Sequence, residues 1–201
     1  SGFYGLELTA NQRLMTSTGL GEMGFGLPGA IGAHFADTSK QIVCLNTDGA
    51  MMFNLQELQV VREHEIPLKL FVFNNDGYSM IKISQKNLFD SRISGSSSSS
   101  GISFPSFEKI AEAFEMGYVR LTNLDQLDQA LKAHLNSEYA VLFEIIMDPD
   151  QKYLPRLATS KLDDGTLISP PLEDLDPFLP IDKLESLLNS EPHENSIRAR
   201  G

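Results

Sequence analysis

A doubly wound α/β fold, with a mainly parallel sheet and helices on both of its faces, is what the patterning of this chain predicts. Short apolar runs recur at Ile42–Leu45, Leu68–Phe73, Tyr118–Leu121 and Val141–Ile146. Segments of helical periodicity separate them, and this alternation is the signature of parallel strands joined by helical crossovers. Asx-Gly turns follow the first two runs, at Asp48-Gly49 and Asp76-Gly77. Loops at the carboxyl ends of parallel strands form the ligand crevice of such sheets.

The elements follow in order. Segment 19–36 carries Gly19, Gly21, Gly24, Gly26, Gly29 and Gly32 ahead of and among small apolar residues, and reads as a turn entering a closely packed helix. Ile42–Leu45 is a short strand. Asn54 with Glu57 three positions later has the form of a capping box opening a helix whose Leu55, Leu58 and Val61 share one face, ending before Pro67. Leu68–Phe73 is almost continuously apolar, as expected of a strand buried on both faces. The stretch 90–104, with the run Ser96–Ser100 between Gly95 and Gly101, is expected to be a mobile loop. Helix 107–116, strand 118–121, helix 124–135 and strand 141–146 complete the α/β domain, assigned to residues 1–147. From 148 to 201 prolines and acids accumulate, so an extended surface arm with a disordered end is expected.

Composition narrows the function. A net charge of −11 and a pI near 4.7 oppose binding to nucleic acid or an anionic membrane surface. The apolar runs are too short to span a bilayer, and the N-terminus has no basic segment or apolar signal core. Those features and the single cysteine, Cys44, which reads as a core residue within an apolar run, predict a non-secreted, cytoplasmic protein. The chain opens Ser-Gly-Phe without an initiator methionine, and is expected to be a piece of something longer.

The chemistry gathers in Asn46-Thr47-Asp48-Gly49-Ala50 and Asn74-Asn75-Asp76-Gly77-Tyr78. An ordinary right-handed crossover would set these loops side by side, letting Asp48 and Asn75 share a cation. A carboxylate, an amide oxygen and backbone carbonyls are hard ligands suited to Mg²⁺ or Ca²⁺. No Lys or Arg occurs from Gln41 through Val61, so a bound phosphate would rely on metal and on backbone N–H groups such as those of Gly49 and Ala50. Either loop alone is ordinary turn chemistry; their coincidence carries the argument. The four histidines have no metal-ligand spacing. Gly24-Phe25-Gly26-Leu27-Pro28-Gly29 matches a dinucleotide fingerprint, but Met15–Thr18 ahead of it makes a poor strand and Pro28 falls where an open helix start is needed.

Asp48-Gly49-Ala50, Asn54, Glu57-Leu58, Pro67 and Asn74-Asn75 together resemble the thiamine-diphosphate motif that begins Gly-Asp-Gly and closes Asn-Asn. Residues 19–28, Gly-Leu-Gly-Glu-Met-Gly-Phe-Gly-Leu-Pro, resemble the acetolactate synthase group of that superfamily. The resemblance, over roughly residues 13–150, implies a thiamine-diphosphate- and Mg²⁺-dependent decarboxylase or carboligase of 2-oxo acids. It implies that Asp48, the Asn75 side chain and the Gly77 main-chain oxygen hold the metal. Gly49, Ala50, Gly77 and Tyr78 would complete the diphosphate site, Gly21 would receive the aminopyrimidine, and Met23 would support the bent cofactor, whose own imino nitrogen then acts as the base. Met80 falls at a cofactor-side methionine. The activating glutamate belongs to a pyrimidine-binding domain of another subunit, so the resemblance implies a homodimer or tetramer, a chain inactive by itself, and room for FAD elsewhere in the parent.

Two departures stand out. Thr47 replaces the first glycine of the motif and demands a negative φ, and Ser84 stands where the group carries a tryptophan that helps select the second oxo acid. A split decarboxylase subunit and a non-catalytic regulatory domain that kept the fold are the competing readings.

Overall fold

A computed structural model describes residues 6–200. Four strands, β1 (Val43–Thr47), β2 (Lys69–Asn74), β3 (Gly117–Leu121) and β4 (Val141–Ile146), form one sheet in the order β1-β2-β4-β3, with every pairing parallel. The helices are α1 (Gly26–Ala36), α2 (Asp48–Met51), α3 (Leu58–Glu63), α4 (Ser79–Leu88), α5 (Phe107–Ala113) and α6 (Leu127–His134).

Strand alternation divides the sheet's side chains between two cores. Cys44, Leu70, Val72 and Leu142 face Leu27, Ala30 and Ile31 of α1, Leu58 and Val61 of α3, and Phe107, Ile110 and Ala111 of α5. Phe71, Val141, Phe143 and Leu121 face Ala130 of α6, and Phe71 stacks on Phe143 at 4.4 Å between ring centroids. Helices therefore cover both faces, as the patterning predicts. The central strands β2 and β4 begin with fully buried runs because each has neighbours on both edges and both faces.

Lys69 is the exception in that apolar company. It is 1% exposed, and its ammonium donates to the carbonyls of Pro67, Ser137 and Tyr139 at 2.8, 2.8 and 2.9 Å. A single buried cation thus closes three backbone acceptors at the end of the sheet opposite the Asx-Gly loops. Burial holds its pKa below the ordinary lysine value.

The chain divides into two compact units. One comprises Arg13–Ser79 and Ser94–Asp150; the other comprises Met80–Ile93 with the described parts of Ser1–Gln12 and Gln151–Gly201. In the second unit the acidic, proline-rich segment is more structured than an extended arm. It contains the short antiparallel pair β5 (Ser160–Lys161) and β6 (Leu167–Ile168), then α7 (Ile181–Leu188) and α8 (Glu194–Arg198). The terminal stretch expected to be disordered carries α8, and Arg200 forms a two-pronged ion pair with buried Asp174 at 2.7 and 2.8 Å while lying over the Phe178 ring. Burying that carboxylate against a guanidinium gives the end of the chain a partner its composition does not advertise.

The expected cap needs correction. Asn54 makes no capping hydrogen bond, and a 3-10 turn, Leu55–Glu57, intervenes before α3. The reason is packing: Asn54 Oδ1 lies 2.2 Å from where a Cβ on Gly24 would stand, so the Asn54 side chain is directed at the glycine segment instead of at the helix. The serine run forms a turn within 90–104 that is hydrogen-bonded to itself. The Ser97 N–H and the Ser96 N–H both donate to Ser100 Oγ, at 2.8 and 3.0 Å, and Ser96 and Ser97 are buried. Small hydroxyl side chains here satisfy the local backbone, a role composition alone does not reveal.

Candidate functional site

The site grows from the carboxyl end of β1. Thr47 has φ −125° and ψ 162°, an extended conformation that a β-branched residue adopts readily, and its Oγ1 accepts from the Ala50 N–H at 3.4 Å as the N-cap of α2. The threonine in place of glycine therefore leaves the turn unstrained. Asp48 follows and is wholly buried.

The Asp48 carboxylate joins the two predicted loops. Its Oδ1 accepts from Gly49 N–H at 2.7 Å; its Oδ2 accepts from Asn75 N–H at 3.1 Å and Gly77 N–H at 2.9 Å. Parallel pairing of Thr47 with Phe73 brings the strand ends level, so the juxtaposition follows directly from the register. Burial pushes the Asp48 carboxyl above its ordinary pKa, opposed by the N–H donors of Gly49, Gly77 and Asn75. The Asn75 amide also donates to Ser79 Oγ at 3.2 Å.

Two glycines of these loops are held by close approach. Gly77 has φ +146°, and a Cβ on it would stand 2.1 Å from the Ser96 carbonyl oxygen. That approach lets the Tyr78 N–H donate to the same carbonyl at 2.9 Å. At Gly49 a Cβ would stand 2.4 Å from the Tyr78 ring, so the tyrosine lies directly on the Asp48 turn. The Phe104 ring stands edge-on to it at 6.0 Å.

Gly21 sits at φ +63° in an exposed turn, where its N–H donates to the Ser17 carbonyl at 2.7 Å. Met23 is exposed, immediately before Gly24, which packs on Phe53 and Asn54. Gly26 opens α1 against the Leu45 carbonyl and the Asn46 side chain, bringing the glycine segment to the end of β1 that carries Asp48. Among the described residues no strand precedes α1, which removes the strand-turn-helix context a dinucleotide fingerprint needs. Met80 lies exposed on α4, and Ser84 one turn later donates to the Met80 carbonyl at 3.0 Å.

One cluster escaped the sequence reading. Glu144, in the middle of an apolar strand, is buried; its Oε1 accepts from Asn74 Nδ2 at 2.6 Å and its Oε2 from the Tyr118 hydroxyl. The available signal was the charge itself, a lone carboxylate within Val141–Ile146, which must find donors when buried. These side chains line a cleft of about 460 Å³ beside the Asn74–Gly77 loop.

Among the described residues no group of three or more His, Cys, Asp or Glu is placed to hold a metal. A cation here would depend on the hard mixed set of one carboxylate, one amide and main-chain oxygens. That donor chemistry suits Mg²⁺. A carboxylate has about four lone-pair sites, enough for three backbone donors and one cation. No helix among the described residues is long and apolar enough to cross a membrane.

An all-parallel sheet with helices on both faces, carrying an acidic turn and an Asn-Asn turn side by side at its carboxyl edge, defines a class of α/β domain whose ligand crevice lies at those turns. Residues 2–145 match the family described as thiamine pyrophosphate enzyme, C-terminal TPP binding domain, and the chain belongs to that family. It is 35% identical over 147 residues to the acetolactate synthase isozyme 2 large subunit of Escherichia coli (strain K12), covering 73% of this chain and 26% of that protein. The probable acetolactate synthase large subunit of Methanococcus aeolicus is 34% identical over 135 residues, covering 67% and 22%. Acetolactate synthase 1, chloroplastic, of Zea mays is 32% identical over 148 residues, covering 71% and 23%. The chain spans about a quarter of the length of these relatives.

Proposed function

We propose that this chain forms the diphosphate-and-metal half of a thiamine diphosphate site in an acetolactate-synthase-like enzyme acting on 2-oxo acids. The observation that carries the reading is the Asp48 carboxylate, buried and shared by the two loops that end β1 and β2. A buried carboxylate lifted above its ordinary pKa is a poor resting state, and a divalent cation at its edge reverses the penalty. Asp48, the Asn75 side chain and the Gly77 carbonyl are the metal ligands of this reading, with Mg²⁺ the cation.

The N–H groups of Gly49, Ala50 and Tyr78 are the chain's nearby backbone donors for diphosphate oxygens. The Ala50 donor is the most readily released, because its bond to Thr47 Oγ1 is long at 3.4 Å. Gly21 and Met23 belong to the pyrimidine side, and Met80 is the cofactor-side methionine of this reading. When bound, thiamine diphosphate supplies a nucleophilic carbon for the 2-oxo acid carbonyl and a sink for the electrons released on decarboxylation. The protein's contribution on this chain is to hold the charged end of the cofactor rigidly, so that its reactive end is presented in one orientation. A pyrimidine-binding domain from another subunit completes the site in a homodimer or tetramer.

Calorimetric titration of thiamine diphosphate into the full-length protein tests the reading. Binding is expected with Mg²⁺, lost with a chelator, and lost in Asp48→Ala. Binding indifferent to both metal and Asp48, or no binding at all, would remove the enzyme reading and leave a domain that has kept the fold for another use.

A further inference from the structure

The hydrogen bonds of Glu144 lead toward the proposed metal loop. Parallel register puts Tyr118 and Arg120 of β3, Glu144 of β4 and Asn74 of β2 on one face of the sheet, toward its carboxyl end. The Tyr118 hydroxyl donates to Glu144 Oε2, and Asn74 Nδ2 donates to Glu144 Oε1 at 2.6 Å. Those contacts orient the Asn74 amide so that its Oδ1 accepts from the Asp76 N–H at 3.2 Å. Asp76 is held at φ +61°, a conformation costly for most residues and tolerated by Asp and Asn, and Ser98 Oγ donates to its carboxylate from the other side. On either side of Asp76 stand Asn75 and Gly77.

We infer that Glu144, braced by Tyr118, is a positioning residue for the metal site, acting through the Asn74 side chain on the Asn75–Gly77 loop. The inference rests on the metal-site reading above. Glu144 is not one of the metal ligands of that reading. Its two oxygens each accept one hydrogen bond, and together they fix the rotation of an amide that could otherwise turn by half a revolution and present Nδ2 to the Asp76 N–H. A donor facing a donor would release the loop from its left-handed turn. Arg120 Nε, 4.0 Å from Glu144 Oε2, supplies a nearby positive charge without replacing either bond.

The test measures Mn²⁺ affinity by electron paramagnetic resonance of free Mn²⁺ in the full-length protein with thiamine diphosphate present. The variants are Glu144→Ala, Glu144→Gln, Tyr118→Phe and Asp48→Ala, each checked by urea unfolding. Glu144→Ala is expected to weaken Mn²⁺ binding by about tenfold to a hundredfold, the usual effect of losing an outer-shell partner. Glu144→Gln should recover most of it: the glutamine oxygen still accepts from Asn74, and its amide donates to a Tyr118 hydroxyl that has reversed roles. Tyr118→Phe, which keeps the ring and removes one bond, should give a smaller loss and keeps the test informative if Glu144→Ala does not fold. Unchanged affinity in Glu144→Ala and Tyr118→Phe, alongside Asp48-dependent binding in the unaltered protein, overturns the positioning role alone. Glu144→Gln as weak as Glu144→Ala overturns it too, since charge and not orientation would then be the link. Absence of any Asp48-dependent Mn²⁺ binding in the unaltered protein overturns the metal-site reading, and the positioning role with it.

Discussion

Replacing Gly49 and Gly77 by alanine separates two kinds of close approach at the same site. At Gly77 the added Cβ meets main-chain atoms, the Ser96 carbonyl oxygen at 2.1 Å and its carbon at 3.0 Å, at a φ of +146°. Neither obstacle can swing aside. The unfavourable backbone region costs about 1–3 kcal/mol and the steric displacement about 1–3 kcal/mol more, so Gly77→Ala should lose about 2–6 kcal/mol in total. At Gly49 the obstacle is the Tyr78 ring, with Cε1 at 2.4 Å and Cδ1 at 2.7 Å, and the backbone is helical. Gly49→Ala should therefore cost about 1–3 kcal/mol, and that cost should vanish in a Tyr78→Ala background. Urea unfolding of the four Gly49/Tyr78 combinations gives a coupling energy of about 1 kcal/mol or more. Gly77→Ala should cost the same with or without Tyr78. A Gly49→Ala penalty that persists without the tyrosine would refute the reasoning, because it would place the obstruction in the backbone.

Lys69→Met should destabilise the chain by about 2–4 kcal/mol in urea unfolding, since it leaves the Pro67, Ser137 and Tyr139 carbonyls without their shared donor. Asp174→Ala should cost about 1–3 kcal/mol, below the range for a fully buried pair because the Arg200 side chain is 18% exposed and can reach water. The Arg200 hydrogen bonds hold the Asp174 carboxyl below its ordinary value of 3.8, so its ionised form binds better in the fold than in the unfolded chain. That contribution is fully present above pH 3.8 and is lost as pH falls through the lower folded value; stability measured against pH should show a shallower acid limb in Asp174→Ala. Thr47→Gly removes a weak cap worth a few tenths of a kcal/mol at about this geometry and frees the Ala50 N–H. Thiamine diphosphate affinity in the full-length protein should rise or stay level, and a marked loss would mean that Thr47 contributes to the site directly.

The legible parts of this fold were those written in apolar periodicity. Strand β4 is observed over the residues its apolar run predicts, and the other three lie within two residues of expectation at either end. The meeting of Asp48 with the Asn75–Gly77 loop was legible too, because parallel strands joined by one crossover bring consecutive carboxyl-end turns together. Side-chain bonding across strands was not. Glu144 reads in sequence as one charge in an apolar run, and only the register reveals Asn74 and Tyr118 as its donors. Asn54 and Glu57 have capping-box spacing, yet the close passage of Gly24 claims the asparagine. The serine run has the composition of a flexible linker, but two of its members are buried and bonded to their own turn. In the acidic tail, proline content obscured a helix signal that was present: Pro180 precedes Ile181, Leu184 and Leu188, apolar residues at helical spacing.

The most direct test of the central claim is the anomalous scattering of Mn²⁺ in crystals of the full-length protein grown with thiamine diphosphate. The account predicts a single strong peak between the strand ends, about 2.0–2.3 Å from an Asp48 carboxylate oxygen and the Asn75 side-chain oxygen, with the Gly77 carbonyl in the same shell. A cofactor bound with its metal elsewhere, or with Asp48 still directed only at the N–H groups of Gly49, Asn75 and Gly77, would contradict it.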